Sequence, residues 1–279
     1  MIFTTLSAQH ILSRLSLPVG KRIIKQFSDG QWYVKVEESV NNTTVWVLGS
    51  TISPAENLLE LLFLLDALHR NGAKIKLLIP YFSFARQDTA AVGEALNAEV
   101  ILNCFKQFSL EKITIIHVHN PTIIEFLPFK NVIPLSFFTD IAKEVDCIVA
   151  PDKGAHDLAC AVAKQAEKPL VFMHKARPSH EQAEIVKVVG EVTGKKALLV
   201  DDILATGTTL IQAADELKKR GVSQVYAAVT HGLFTNNAHE KILHSSLEKV
   251  FVTNTIVQKE FSAKVMVVDI SNLLEDLLV

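Results

Sequence analysis

The sequence predicts an α/β protein of two domains, each built on a parallel sheet flanked by helices. Three observations carry that expectation. Short apolar, β-branched runs recur along the chain with helical stretches between them. Several of these runs are apolar throughout rather than alternating, as strands covered on both faces are. The chain has 279 residues, enough for two domains of ordinary size with separate cores.

The strand candidates, in order, are VWVLGS (45–50), IKLLIPY (75–81), ITIIHVH (113–119), CIVAPD (147–152), PLVFMH (169–174), ALLVDD (197–202), VYAAVTHG (225–232), VFVTNT (250–255) and VMVVDI (265–270). Two helices are legible among the intervening stretches. Over 56–70, Leu58, Leu61, Leu62, Leu65 and Leu68 recur on one side, and Gly72 supplies the stop. A second helix runs from Thr208 to Arg220 and closes at Gly221. Such alternation implies parallel pairing through right-handed crossovers. No Pro/Gly/Ser-rich linker divides the chain. A boundary within 140–146 splits the strands into two similar sets, giving domains 1–143 and 144–279.

Composition narrows the function classes. A formal net charge of −2, with no long Lys/Arg block, argues against a generic nucleic-acid binder, which needs a basic face. Cys104, Cys147 and Cys160 sit singly among apolar residues, as reduced, buried thiols do, with neither disulfide nor zinc spacing. MIFTTLSAQH lacks the basic-then-apolar pattern of a secretory signal. The greasiest stretch, LLELLFLLDAL (58–68), is cut by Glu60 and Asp66 and is too short to span a bilayer. A cytoplasmic protein with no membrane partner is expected.

Open parallel sheets bind ligands beyond the carboxyl ends of their strands. Six predicted strands lead there into polar residues: Tyr81 toward Arg86, His117 with His119, Asp152, His174 with Lys175, Asp201 with Asp202, and His231. The most informative ending is LLVDDILATGTTL (198–210). A Gly/Thr loop between strand and helix exposes amides and hydroxyls at a helix N-terminus, a natural phosphate cradle. Carboxylates cannot touch that phosphate favourably, but they accept hydrogen bonds from vicinal hydroxyls or hold Mg²⁺. One ligand satisfies both features, a sugar phosphate with its hydroxyls at Asp201 and Asp202 and its phosphate in Ala205–Thr209. The alternative is an ordinary βα turn with N-capping threonines.

VDDILATGTT resembles the phosphoribosyl-diphosphate loop shared by type I phosphoribosyltransferases and ribose-phosphate diphosphokinases. Further stretches favour the diphosphokinases: FSDGQWYVKVEESV (27–40), the segment 56–88 ending in YFSFARQD, APDKGAHDLA (150–159), THGLFTNNA (230–238) and VTNTI (252–256). The resemblance is collinear and spans nearly the whole chain. It implies two phosphoribosyltransferase-like (type I) domains, with about the last 15 residues packing back on the N-terminal one. It also implies Mg²⁺-dependent reaction of ATP with ribose 5-phosphate to give phosphoribosyl diphosphate and AMP.

The chain has no GxxxxGK[ST], so a P-loop does not hold the ATP. By resemblance Arg86 and Gln87 bind it, and Asp29, Gly30 and Gln31 add a contact from a neighbouring subunit, so at least a homodimer is implied. His119 and Asp152 match positions that ligate Mg²⁺ directly or through water, consistent with its sparse oxygen-rich protein shell. Lys175 and Arg177 match a Lys-x-Arg pair on a flexible loop that neutralises charge during diphosphoryl transfer. By the same resemblance Arg177 is expected to assist Asp201, Asp202, Ala205, Thr206, Gly207, Thr208 and Thr209 in holding ribose 5-phosphate.

Four positions depart from the family pattern. Gln31 replaces Glu, His117 stands where Asp is common, Ala205 replaces a polar residue, and Thr208 replaces Gly. Two rivals follow: a non-catalytic regulatory relative that keeps the fold, and, less consistent with FARQD and APDKGA, a phosphoribosyltransferase.

Overall fold

The computed structural model describes residues 1–176, 185–259 and 262–278. They form two compact units, Met1–Ile133 with Ser271–Val279, and Pro134–Ile270.

The first unit begins with β1 (Ile2–Thr4) and a 3₁₀ turn leading into α1 (Gln9–Leu12). The β2 (Arg22–Gln26) and β3 (Trp32–Val36) strands form a separate antiparallel hairpin. Next come β4 (Thr44–Leu48), α2 (Glu56–Arg70), β5 (Lys74–Ile79), α3 (Asn97–Lys106), β6 (Lys112–Ile116) and β7 (Lys130–Val132). The sheet runs β1-β4-β5-β6-β7 and every pairing in it is parallel.

Its core explains the apolar runs. Val45, Val47, Ile75, Leu77, Ile79, Ile113 and Ile115 pack beneath Leu58, Leu61, Leu64, Leu65 and Leu68 of α2. The expected face of α2 therefore forms, except that Leu64 is fully buried where Leu62 is only half-buried. The helix stops as its sequence demands. Gly72 takes φ +75°, and the amides of Gly72 and Ala73 reach back to His69 and Leu68.

The second unit contains α4 (Leu135–Ala142), β8 (Cys147–Ala150), α5 (His156–Ala166), β9 (Leu170–Ala176), β10 (Ile185–Val189), β11 (Lys196–Leu204), α6 (Thr208–Lys219), β12 (Gln224–Gly232), α7 (Ala238–Leu243), β13 (Lys249–Thr253) and β14 (Val265–Val268). The last helix, α8 (Ser271–Leu277), belongs to the first unit, where Glu275 accepts the Ser16 amide at 3.1 Å.

Strand order in this second sheet is β10-β9-β8-β11-β12-β13-β14, parallel except for the β9–β10 pair. From β8 the chain moves one way to β9, then returns to lay β11 on the other side of β8. The β8/β11 boundary is thus the sheet's switch point, where right-handed crossovers send successive helices to opposite faces and open a crevice at the carboxyl ends. No helix among the described residues is long and apolar enough to cross a membrane. Burial pushes the Cys147 thiol up to about 11, so it is an inert packing group.

Candidate active site

The paired acids and the Gly/Thr loop lie at that switch point. Leu199 on β11 pairs with Val149 on β8, so Asp201 emerges at the level where Pro151 and Asp152 leave β8. Asp152 folds back on its own loop, its Oδ1 accepting the Gly154 amide at 2.9 Å and the Ala155 amide at 3.3 Å. Asp201 Oδ1 accepts the Asp202 amide at 2.9 Å. Burial pushes the Asp201 carboxyl well above the usual carboxylate range, with further lifts from the neighbouring charges of Asp202 and Asp152. Negative charge on this carboxyl is therefore costly, and a hydroxyl donor or a cation beside it would relieve that cost.

The loop after β11 is shaped as an anion receptor. Gly207 takes φ +75°, which an L side chain rarely tolerates, and caps α6. That left-handed residue is Gly207, not Thr208. Thr208 begins the helix, is exposed, and its Oγ1 lies 3.0 Å from Thr206 Oγ1, so its side chain causes no backbone strain. The loop's carbonyls are turned to other work. Leu204 O accepts the Leu233 and Phe234 amides at 2.8 and 3.3 Å, and Ala205 O accepts the Thr235 amide at 2.8 Å. With those acceptors occupied, the amides of Thr206, Gly207 and Thr209 make no hydrogen bond among the described residues. Gly207→Ala is expected to cost about 1–2 kcal/mol of stability through backbone strain alone, since its Cβ would meet nothing nearer than 3.6 Å. Thermal melting checks this.

The amides of Leu233, Phe234 and Thr235, which follow β12, were not among the site groups expected. They rest on a buried polar network: His231 Nδ1 lies 2.9 Å from Thr255 Oγ1, and Thr255 and Thr253 hydroxyls donate to Thr230 O at 3.2 and 2.7 Å. Phe234 departs from that network in a left-handed conformation, φ +48°, which turns the three amides onto the loop. In the sequence, His231 and the stretch THGLFTNNA (230–238) pointed to this segment without marking its amides.

In the first unit the predicted residues gather at the carboxyl ends of β5 and β6. The Ser83 amide donates to Thr51 Oγ1 at 2.9 Å, tying YFSFARQD to the loop after β4. Arg86 is exposed, while Gln87 donates from its side chain to Thr89 O at 3.1 Å. Asn120 donates to Asp88 at 2.5 Å, bringing the Arg86–Gln87 loop against the His119 loop; neither partner was singled out from sequence. His117 is buried with φ +43°, its amide bonded to Val132 O at 2.9 Å, and His119 beyond it is exposed.

Asp29, Gly30 and Gln31 form the exposed tip of the β2–β3 hairpin. The tip's hydrogen bonds are local: Gln31 N to Asp29 Oδ1 at 3.1 Å, and Gly30 N to Phe27 O at 3.0 Å. None of them reaches the Arg86 loop. Lys175 is the penultimate residue of β9, and its side chain lies outside the described residues, as does all of Arg177. Among the described residues no three His, Cys, Asp or Glu side chains converge as a metal cage.

A parallel sheet with a switch point, a left-handed glycine loop and adjoining acids defines an α/β protein with a cradle suited to a phosphorylated polyol. Comparison with known proteins narrows that class. Residues 4–108 match the N-terminal domain of ribose phosphate pyrophosphokinase, and residues 142–278 match the phosphoribosyl synthetase-associated domain. The ribose-phosphate pyrophosphokinase of Ralstonia nicotianae is 34% identical, covering 92% of this chain and 84% of its own. That of Mycoplasma genitalium is 33% identical, covering 96% and 86%. The crystal structure of phosphoribosylpyrophosphate synthetase from Mycobacterium smegmatis is similar with a TM-score of 0.89 and 27% identity, over 100% of this chain and 97% of that one. The chain belongs to the ribose-phosphate pyrophosphokinase family, and the expected pair of phosphoribosyltransferase-like domains describes its fold.

Proposed function

We infer that the protein transfers the diphosphoryl group of ATP to the anomeric hydroxyl of ribose 5-phosphate, giving phosphoribosyl diphosphate and AMP. The observation that carries this reading is the set of amides at Thr206, Gly207 and Thr209, unpaired among the described residues, beside the half-buried acids at the switch point. The 5-phosphate sits in Ala205–Thr209, and the ring hydroxyls donate to Asp201 and Asp202. ATP is held by Arg86 and Gln87, with Asp29, Gly30 and Gln31 supplied by a neighbouring copy in at least a dimer. Lys175 and Arg177 place cations beside the transferring group.

Mg²⁺ suits the residues present. Carboxylate oxygens are its preferred donors, and the repulsion among Asp152, Asp201 and Asp202 leaves charge for a divalent cation to neutralise. By the family resemblance Asp152 and His119 would hold it, and it would supply positive charge to the triphosphate.

The test is AMP formation from ATP and ribose 5-phosphate, with and without Mg²⁺. Binding of both substrates without AMP would favour the non-catalytic relative instead. Lys175→Ala is expected to lower turnover by about 10²-fold, the scale of one preorganised charge partner; unchanged turnover removes Lys175 from the reaction.

A further inference from the structure

The first turns of α5, just past the Asp152 loop, bring two soft donors together. His156 and Cys160 stand four residues apart, so they are neighbours on one helix face. Cys160 Sγ lies 3.7 Å from His156 Nδ1, and Asp157 Oδ1 lies 3.4 Å from the same nitrogen. The His156 ring stacks on Phe172 of β9, 4.3 Å between centroids and 10° between planes, which fixes its orientation. Cys160 is half-buried and Asp157 is exposed. A proton does not account for this arrangement. Nδ1 carries at most one, yet a carboxylate and a thiol both face it. The 3.4 Å separation is also longer than the roughly 2.7–3.2 Å of an N–H···O hydrogen bond.

We infer that His156 Nδ1 and Cys160 Sγ are the fixed half of a zinc-type cation site, with the Asp157 carboxylate as third ligand and water as the fourth. A tetrahedral ion accounts for both separations. With Zn–S about 2.3 Å and Zn–N and Zn–O about 2.0–2.1 Å, neighbouring corners lie about 3.5 Å apart for sulfur and nitrogen, and about 3.4 Å for nitrogen and oxygen. The three side chains do not close on one point as they stand, and exposed Asp157 reaches the third corner by turning about its own side-chain bonds. On binding, the cation displaces the Cys160 thiol proton to solvent, and neutral His156 supplies the Nδ1 lone pair. Thiolate and carboxylate together balance the charge of the cation, so the positive end of α5 faces a neutral centre. The site differs in kind from the Mg²⁺ site proposed above. Thiolate and imidazole select zinc-type ions, whereas Mg²⁺ takes oxygen donors.

Co²⁺ titration of the full chain, reduced and stripped of metal, tests this, because thiolate-bound Co²⁺ absorbs in the near ultraviolet and oxygen-bound Co²⁺ does not. One equivalent is expected to give that band, which Zn²⁺ removes and excess Mg²⁺ leaves in place. Cys160→Ser abolishes it, and Cys104→Ser does not. His156→Phe keeps an aromatic ring against Phe172 and is expected to raise the Co²⁺ dissociation constant at least about tenfold, as is Asp157→Asn. Circular dichroism melting shows that each variant is folded. A wild type without the band overturns the site, as does a band that survives Cys160→Ser or yields to Mg²⁺. An affinity indifferent to His156→Phe overturns the pair, and one indifferent to Asp157→Asn overturns the three-ligand arrangement.

Discussion

Asp201→Asn lowers AMP formation by about 10²–10³-fold, comparable to losing a preorganised charged partner in a water-poor site, and at the same time raises the melting temperature of the ligand-free protein. The two effects share one cause. Burial, then Asp202 and Asp152, push the Asp201 carboxyl above its unfolded value. A raised acid contributes stability that is fully present below the ordinary carboxylate range and is lost as pH rises through the folded value. Asn carries no charge to desolvate, so the variant escapes that loss. Its advantage is therefore absent in acid and widens toward neutral pH.

Function runs the other way. Vicinal hydroxyls donate more strongly to an ionised carboxylate than to an amide oxygen, and Mg²⁺ nearby gains nothing from an amide. Calorimetric melting of wild type and variant from about pH 4 to about pH 8 spans the carboxylate range and reads the first effect; the AMP assay reads the second. A variant that melts lower at neutral pH shows that the Asp202 amide alone satisfies the carboxylate. Unchanged turnover takes Asp201 out of the site.

The strands around this acid were legible because each is a continuous apolar run, and burial on both faces leaves little else for such a run to do. The β2–β3 hairpin was not legible. RIIKQ and WYVKV are largely half-buried or exposed, and they pair only with each other, so neither carries a core signature. β1 and β7 are three residues each, too short to show a period. At the site, VDDILATGTT announced its chemistry because acids, glycine and threonines are consecutive. The amides of Leu233, Phe234 and Thr235 were invisible, since any residue offers an amide and only the β11–β12 register brings these to the loop. Asn120 and Asp88 belong to the same class, joined by adjacent parallel strands rather than by spacing. Thr208 shows the converse. Thr208 replaces a family glycine, yet the left-handed backbone falls at Gly207, and the neighbouring position accepts a side chain.

Periodicity also hid Glu60, which lies on the buried side of α2 among leucines and is 0% exposed. Its Oε1 accepts the Leu6 amide at 2.6 Å, which anchors the turn after β1, while its Oε2 has no hydrogen bond. Arg22 lies near it, donating to Thr4 O and to Gln9 Oε1, the latter at 2.9 Å. Burial raises the Glu60 carboxyl, and the Leu6 amide and Arg22 oppose that rise without cancelling it. Two substitutions separate hydrogen bond from charge. Glu60→Leu removes the acceptor and strands a buried amide, so it is expected to destabilise the protein by about 2–3 kcal/mol. Glu60→Gln keeps the acceptor and the shape. It should match wild type in acid, where Glu60 is itself neutral, and become the more stable of the two as pH rises through the raised Glu60 value. Denaturant melts at acidic and neutral pH decide between these contributions. If Gln is as damaging as Leu at neutral pH, the charge facing Arg22, rather than the bond to Leu6, is what this acid contributes to the fold.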